Sequence, residues 1–177
     1  IRTGRAEQLA PGRRGRAMST VTKIHGQSGQ VKTGKPGEVL TAILGSCIGL
    51  GLLYPHRQIY GLAHCLLADS GAASDEISGR YVDQALHSLV SLMQIGPADL
   101  RKVRTIVVGG ANMTMPVDTD PSRLVGTINA NSAYKAVRKL GLRSGYDLPL
   151  VRGSDLTVAM FDGVVKPGAR SAVICAS

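Results

Sequence analysis

Three short apolar segments follow one another in the first half of the chain and limit what it can fold into. Residues 39–42, 47–53 and 59–67 are dominated by aliphatic side chains, and short apolar runs bounded by turn residues are typical of buried strands. A Gly-Ser pair at 45–46 separates the first two segments, and the turn sequence of residues 54–57 separates the second from the third. The pattern predicts strands that return on one another as a hairpin.

The rest of the chain alternates further strands with two helices. Apolar residues recur at helical spacing between residues 80 and 95, and a Gly-Pro pair ends that helix. A second helix is predicted from Asn129 or Asn131 to Leu140, with the asparagine as its cap. This order predicts an α/β or α+β layered sandwich, with a mixed β-sheet and two main helices. Further strands are expected near residues 102–108, 143–148, 156–161 and 171–175.

The positive charge of the chain is concentrated at one end. The formal net charge is +9, and five arginines fall within residues 1–17. A run of this kind usually forms a solvated extension, and aromatic residues, which stack on single-stranded nucleic acid, make up only 3% of the chain. We therefore expect a flexible, disordered basic leader over residues 1–27, a single domain over 28–177, and no nucleic-acid partner.

The cysteine content indicates a reducing compartment. Cys47, Cys65 and Cys175 cannot all pair within one chain. No secretory signal pattern opens the sequence, and no apolar run approaches the ~20 residues that a membrane span needs. The sequence predicts a cytoplasmic protein with free thiols and no membrane insertion.

Cys47 and His64 are the candidate catalytic pair. A cysteine is a strong nucleophile only as the thiolate, and a histidine can take its proton and later return it to a leaving group. The predicted hairpin would bring the two residues face to face. Ser46 follows a glycine where the chain can bend sharply, so backbone N–H groups there could hold an oxyanion.

Other interpretations of these residues remain open from the sequence alone. Cys47 could be an ordinary buried cysteine, and His64 a core histidine with satisfied hydrogen bonds. A zinc site built from His64 and the three cysteines would lack the usual ligand spacing. No metal and no cofactor are expected.

A series of motifs in register resembles the CheD family of chemoreceptor glutamine deamidases over residues 30–166. These motifs are Leu44-Gly-Ser-Cys47, Gly61-Leu-Ala-His64, Arg80-Tyr81, Val108-Gly-Gly-Ala-Asn-Met113, Gly126-Thr-Ile-Asn129 and the single residue Asp147.

The resemblance implies a reaction, a site and a fold. Members of the family hydrolyse glutamine side-chain amides on methyl-accepting chemotaxis receptors, using a cysteine nucleophile, a histidine base and a threonine upstream of the cysteine. In this sequence those positions are Cys47, His64 and Thr41, with Thr41 as the partner that orients the imidazole. The implied fold is that of the family and of glutamine-deamidating toxins, and the expected partners are the receptors.

Two alternatives to this function stay open. The chain could be a non-catalytic regulatory module that docks to a CheC-type phosphatase or to receptors. A methylesterase activity on glutamyl esters is also compatible with the same residues, because an amide and an ester give the same thioester.

Overall fold

The computed structural model describes residues 22–72, 75–112, 115–116, 118–147, 156–160, 166–168 and 171–174. Within them the chain forms two α-helices, α1 (Val82–Leu92) and α2 (Val125–Lys139). The strands are β1 (Thr22–His25), β2 (Val31–Gly34), β3 (Glu38–Leu44), β4 (Ile48–Tyr54), β5 (Ile59–Cys65), β6 (Arg104–Gly109), β7 (Arg143–Asp147), β8 (Leu156–Met160), β9 (Lys166–Gly168) and β10 (Ser171–Ile174).

The strands form two five-stranded sheets. The first sheet has the order β1-β3-β8-β10-β9, and the second has the order β2-β5-β4-β6-β7. Strands β4 and β5 form the predicted hairpin, with Ile48 opposite Cys65 at its open end and Tyr54 opposite Ile59 beside its turn. The bend at residues 45–47 sends β3 into the first sheet and β4 into the second, so the predicted mixed sheet is divided in two.

The second sheet is covered on both faces, which explains why every residue of β4 is buried. One apolar cluster fills the space between the two sheets and includes Leu40, Leu44 and Val108. The other lies between the second sheet and the helices and includes Leu50 and Leu86. The predicted α+β layered sandwich with two main helices is confirmed.

The second helix starts earlier than the sequence predicted. It begins at Val125 after Leu124, and neither Asn129 nor Asn131 caps it. Its first turn packs closely on the loop after β6, where a Cβ at Gly126 would lie 2.8 Å from the Cα of Gly110. This contact is long-range, so local capping signals did not locate the helix start.

The domain boundary of the sequence analysis is only partly within the described residues. Strand β1 lies inside the segment 1–27 that was predicted as a leader, and it pairs in parallel with β3. Residues 1–21 lie outside the described part, so the predicted leader there stays a prediction. Neither helix is long and apolar enough to cross a membrane, as far as the described residues extend.

Candidate active site

Cys47 occupies the bend between β3 and β4, at the edge of the cluster between the sheets. Two backbone hydrogen bonds fix the bend to the loop after β6. The N–H of Gly110 donates to the carbonyl of Cys47 at 2.9 Å, and the N–H of Ala111 donates to the carbonyl of Gly45 at 3.0 Å. The thiol is half-buried in a rigidly anchored bend.

His64 lies on β5, next to the strand that Cys47 precedes. It pairs with Gly49, which is two residues beyond Cys47, and side chains two residues apart point to the same face of a strand. Cys47 packs against the apolar cluster between the sheets, and Leu62, two residues before His64, belongs to that cluster, so Cys47 and His64 both lie on the side of the second sheet that faces the first. The imidazole is buried, with 5% of the residue exposed.

The tautomer of His64 follows from its hydrogen bonds. Nδ1 lies 3.3 Å from the carbonyl oxygen of Gly26, and Nε2 lies 3.4 Å from Oγ of Ser28. A carbonyl oxygen can only accept, so Nδ1 carries the hydrogen and Nε2 holds the lone pair. A lone pair on Nε2 is what a general base requires.

The environment keeps both groups neutral near neutral pH. Burial raises the pKa of the Cys47 thiol above its ordinary value. Burial also lowers the pKa of His64, the hydrogen bond to the Gly26 carbonyl partly opposes that effect, and the charge of nearby His25 adds to it. The free site thus pairs a thiol with a neutral imidazole, so any thiolate must form by proton transfer during the reaction.

Thr41 is connected to His64 through Gly26. Its carbonyl accepts the N–H of Gly26 at 2.7 Å, and the carbonyl of Gly26 accepts Nδ1–H of His64. Its hydroxyl oxygen lies 3.2 Å from Nδ1 of His25 and 3.5 Å from the carbonyl of Ile24. Within the described residues, no direct hydrogen bond joins Thr41 to the His64 ring. The orienting role predicted for Thr41 stays a prediction, with its carbonyl as the link.

Asn129 connects the Cys47 bend to the end of β5. Its Nδ2 donates to the carbonyl of Leu66 at 2.8 Å and reaches the carbonyl of Ser46 at 3.5 Å. The side chain is almost fully buried on α2. This amide ties the Cys47 bend to the end of the strand that carries His64, a contact that the sequence did not predict.

Comparison with known proteins identifies the family of the chain. The family model described as CheD chemotactic sensory transduction matches residues 66–146. The chain is 46% identical over 155 residues to a "Probable chemoreceptor glutamine deamidase CheD 2" from Ruegeria sp., an alignment that covers 78% of this chain and 87% of the relative. The chain belongs to the CheD family. The resemblance noted from the motifs is confirmed.

More distant relatives agree with this assignment. A "Probable chemoreceptor glutamine deamidase CheD" from Bdellovibrio bacteriovorus is 32% identical, with 67% of this chain and 76% of the relative covered. One from Methanococcus maripaludis is 31% identical, with coverage of 77% and 88%. The segment matched by the CheD model begins after both Cys47 and His64.

The residues that contact the His64 ring in this CheD-family chain could not be found from the sequence. Gly26 and Ser28 lie 38 and 36 residues before His64, and neither residue type is a chemical signal by itself.

Among the described residues, no group of three or more His, Cys, Asp or Glu side chains could hold a metal ion. Cys65 is fully buried in the cluster beneath the helices, and burial raises its pKa strongly.

Proposed function

We propose that this CheD-family chain deamidates glutamine side chains of methyl-accepting chemotaxis receptors, with Cys47 as the nucleophile and His64 as the general base. The observation that supports the proposal is that Cys47, in the bend before β4, and His64, on β5, share the side of the second sheet that faces the first, with the lone pair of His64 on Nε2. The names of the relatives, chemoreceptor glutamine deamidases, supply the substrate class. A protein acting on the cytoplasmic part of a receptor works in the cytoplasm.

In the first half of the reaction, Nε2 of His64 takes the proton from the Cys47 thiol. The thiolate attacks the carbon of the glutamine side-chain amide and forms a tetrahedral intermediate. The imidazolium of His64 then donates its proton to the amide nitrogen, the C–N bond breaks, and ammonia leaves. A thioester between the receptor and Cys47 remains.

In the second half, water replaces ammonia at the same position. Nε2 of His64 takes one proton from the water, and the resulting hydroxide attacks the thioester carbon. The C–S bond breaks, the receptor leaves with a glutamate, and the thiol of Cys47 recovers its proton from His64. General acid–base catalysis of this kind contributes about 10²- to 10⁴-fold to the rate.

The bend of residues 45–47 is the proposed oxyanion site. Its three carbonyl groups face the loop after β6 and the Asn129 amide, an arrangement that favours N–H groups, including that of Ser46, as donors toward the intermediate. In this proposal Thr41 orients His64 through the backbone of Gly26. A fixed bend holds such donors in place before the charge develops.

The test is conversion of a purified receptor cytoplasmic fragment, followed by mass spectrometry of its glutamine-containing peptides. Wild-type protein should convert specific glutamines to glutamates, and Cys47→Ala should abolish the conversion. Cys65→Ala is the matched control, because it removes a thiol on the other side of the second sheet and should leave conversion intact. Conversion by Cys47→Ala at the wild-type rate would contradict the mechanism.

A further inference from the structure

The 26–30 connection, which joins β1 to β2, forms hydrogen bonds with every polar group of His64. The ring contacts Gly26 and Ser28, as described above. The N–H of Gly29 donates to the carbonyl of His64 at 2.8 Å, and the N–H of His64 donates to the carbonyl of Gln30 at 3.0 Å. Four of these five residues, Gly26, Ser28, Gly29 and Gln30, thus fix both the backbone and the ring of the proposed base.

This arrangement divides two tasks between a backbone group and a side chain. The Gly26 carbonyl keeps the hydrogen on Nδ1, a task that a carboxylate performs in other catalytic triads. Within the connection, Ser28 is the residue whose side chain forms a hydrogen bond with the ring. Its contact is with Nε2, the nitrogen that must exchange protons during the reaction.

A hydroxyl suits this position because it can both donate and accept. Toward the neutral ring of His64, Ser28 donates its hydrogen to the lone pair of Nε2. After Nε2 has taken a proton, the same oxygen can accept from Nε2–H. The change needs only a rotation about the Cβ–Oγ bond, and the 3.4 Å separation marks a weak hydrogen bond that is readily exchanged.

We infer that Ser28 is a positioning residue for glutamine deamidation. Its hydroxyl holds the Nε2 edge of His64 in both protonation states. It releases the lone pair of Nε2 to Cys47 when the thiol loses its proton. The inference rests on the proposed function. Loss of the Ser28 hydroxyl should therefore slow the chemical steps and leave receptor binding unchanged.

The test compares Ser28→Ala, Ser28→Thr and Gln27→Ala in receptor deamidation assays. Ser28→Ala should lower kcat by about threefold to tenfold, the rate equivalent of one weak hydrogen bond, and should change KM by less than about twofold. Ser28→Thr keeps a hydroxyl and should restore most of the rate. Gln27→Ala alters an exposed side chain of the same connection and should behave as wild type.

A second readout does not depend on the receptor. In ¹⁵N NMR spectra, the Nε2 resonance of His64 should shift in Ser28→Ala and return in Ser28→Thr, while Nδ1 stays in the N–H range. An unchanged Nε2 resonance, an unchanged kcat in Ser28→Ala, or an equal loss of rate in Gln27→Ala would overturn the inference. If wild-type protein fails to deamidate receptor, the proposed function fails, and the NMR comparison still decides the contact of Ser28.

Discussion

Gly109 offers the sharpest structural test of how the bend around Cys47 is held. This glycine ends β6 with φ of 101°, and a Cβ on it would overlap the carbonyl oxygen of Cys47 and lie 3.4 Å from Cδ1 of Leu44. An alanine at this position would therefore be strained in its backbone and would also push the Cys47 bend away. We expect Gly109→Ala to impair both stability and catalysis.

The expected magnitude follows from two separate costs. A non-glycine residue with this left-handed backbone costs about 1 to 2 kcal/mol. Moving the Cys47 carbonyl also breaks its 2.9 Å hydrogen bond with the N–H of Gly110, which costs about 1 kcal/mol. The free energy of unfolding should fall by about 2 to 3 kcal/mol. A nucleophile displaced by ~1 Å can lose ~10²-fold in rate.

Gly37 provides a matched control. Its φ is 87°, and no heavy atom lies within 4 Å of the position that a Cβ would occupy. Gly37→Ala should thus pay only the backbone cost and keep wild-type kcat. Urea unfolding followed by circular dichroism gives the stability, and the receptor assay gives kcat. If Gly109→Ala is as stable and as active as Gly37→Ala, the contact between Gly109 and the Cys47 carbonyl does not hold the bend.

Three further predictions test the thiols, the base and the amide on α2. Iodoacetamide near neutral pH should label half-buried Cys47 and leave Cys65, which is fully buried with a strongly raised pKa, unlabelled; faster labelling of Cys65 would contradict this. The pKa of His64 is lowered from 6.5 in the folded state, so the unfolded chain binds a proton first as the pH falls. The contribution of the neutral ring to the free energy of unfolding is present above pH 6.5 and is lost as the pH falls through the lowered pKa of the folded state. In His64→Gln, the free energy of unfolding measured with urea should lack this dependence on pH. Asn129→Ala should lower the free energy of unfolding by about 1 to 3 kcal/mol, because it leaves the Leu66 carbonyl without this donor. Asn131→Ala, at an exposed position of the same helix, should change it by less than about 0.5 kcal/mol in the same measurement, and equal losses would remove the role of the amide.

The parts of the site that could be predicted from the sequence are the local ones. Cys47 lies in the bend directly before β4 and His64 lies on β5, and a short turn at Pro55–Arg57 joins these two consecutive strands. Turn length and alternation fix the register of a hairpin. The apolar pattern and the turn were sufficient to predict that β4 pairs with β5.

The parts that could not be predicted depend on contacts between distant segments. The carbonyl of Gly26 and the hydroxyl of Ser28 reach His64 only because β1 pairs with β3 and β2 pairs with β5. The burial of Asn129 likewise depends on the packing of α2 against the Cys47 bend. Residue type and spacing do not reveal such contacts, because serine, glycine and asparagine are also common in turns and caps that contact no functional residue.

The proposed mechanism requires that Cys47 attacks a receptor glutamine and forms a thioester. The most direct measurement is rapid acid quenching of wild-type protein with receptor fragment, followed by peptide mapping of any covalent adduct. The expected result is an adduct that joins a receptor glutamine position to Cys47, with ammonia released before glutamate appears. An adduct at another residue, or glutamate formed with undiminished rate by Cys47→Ala, would contradict it.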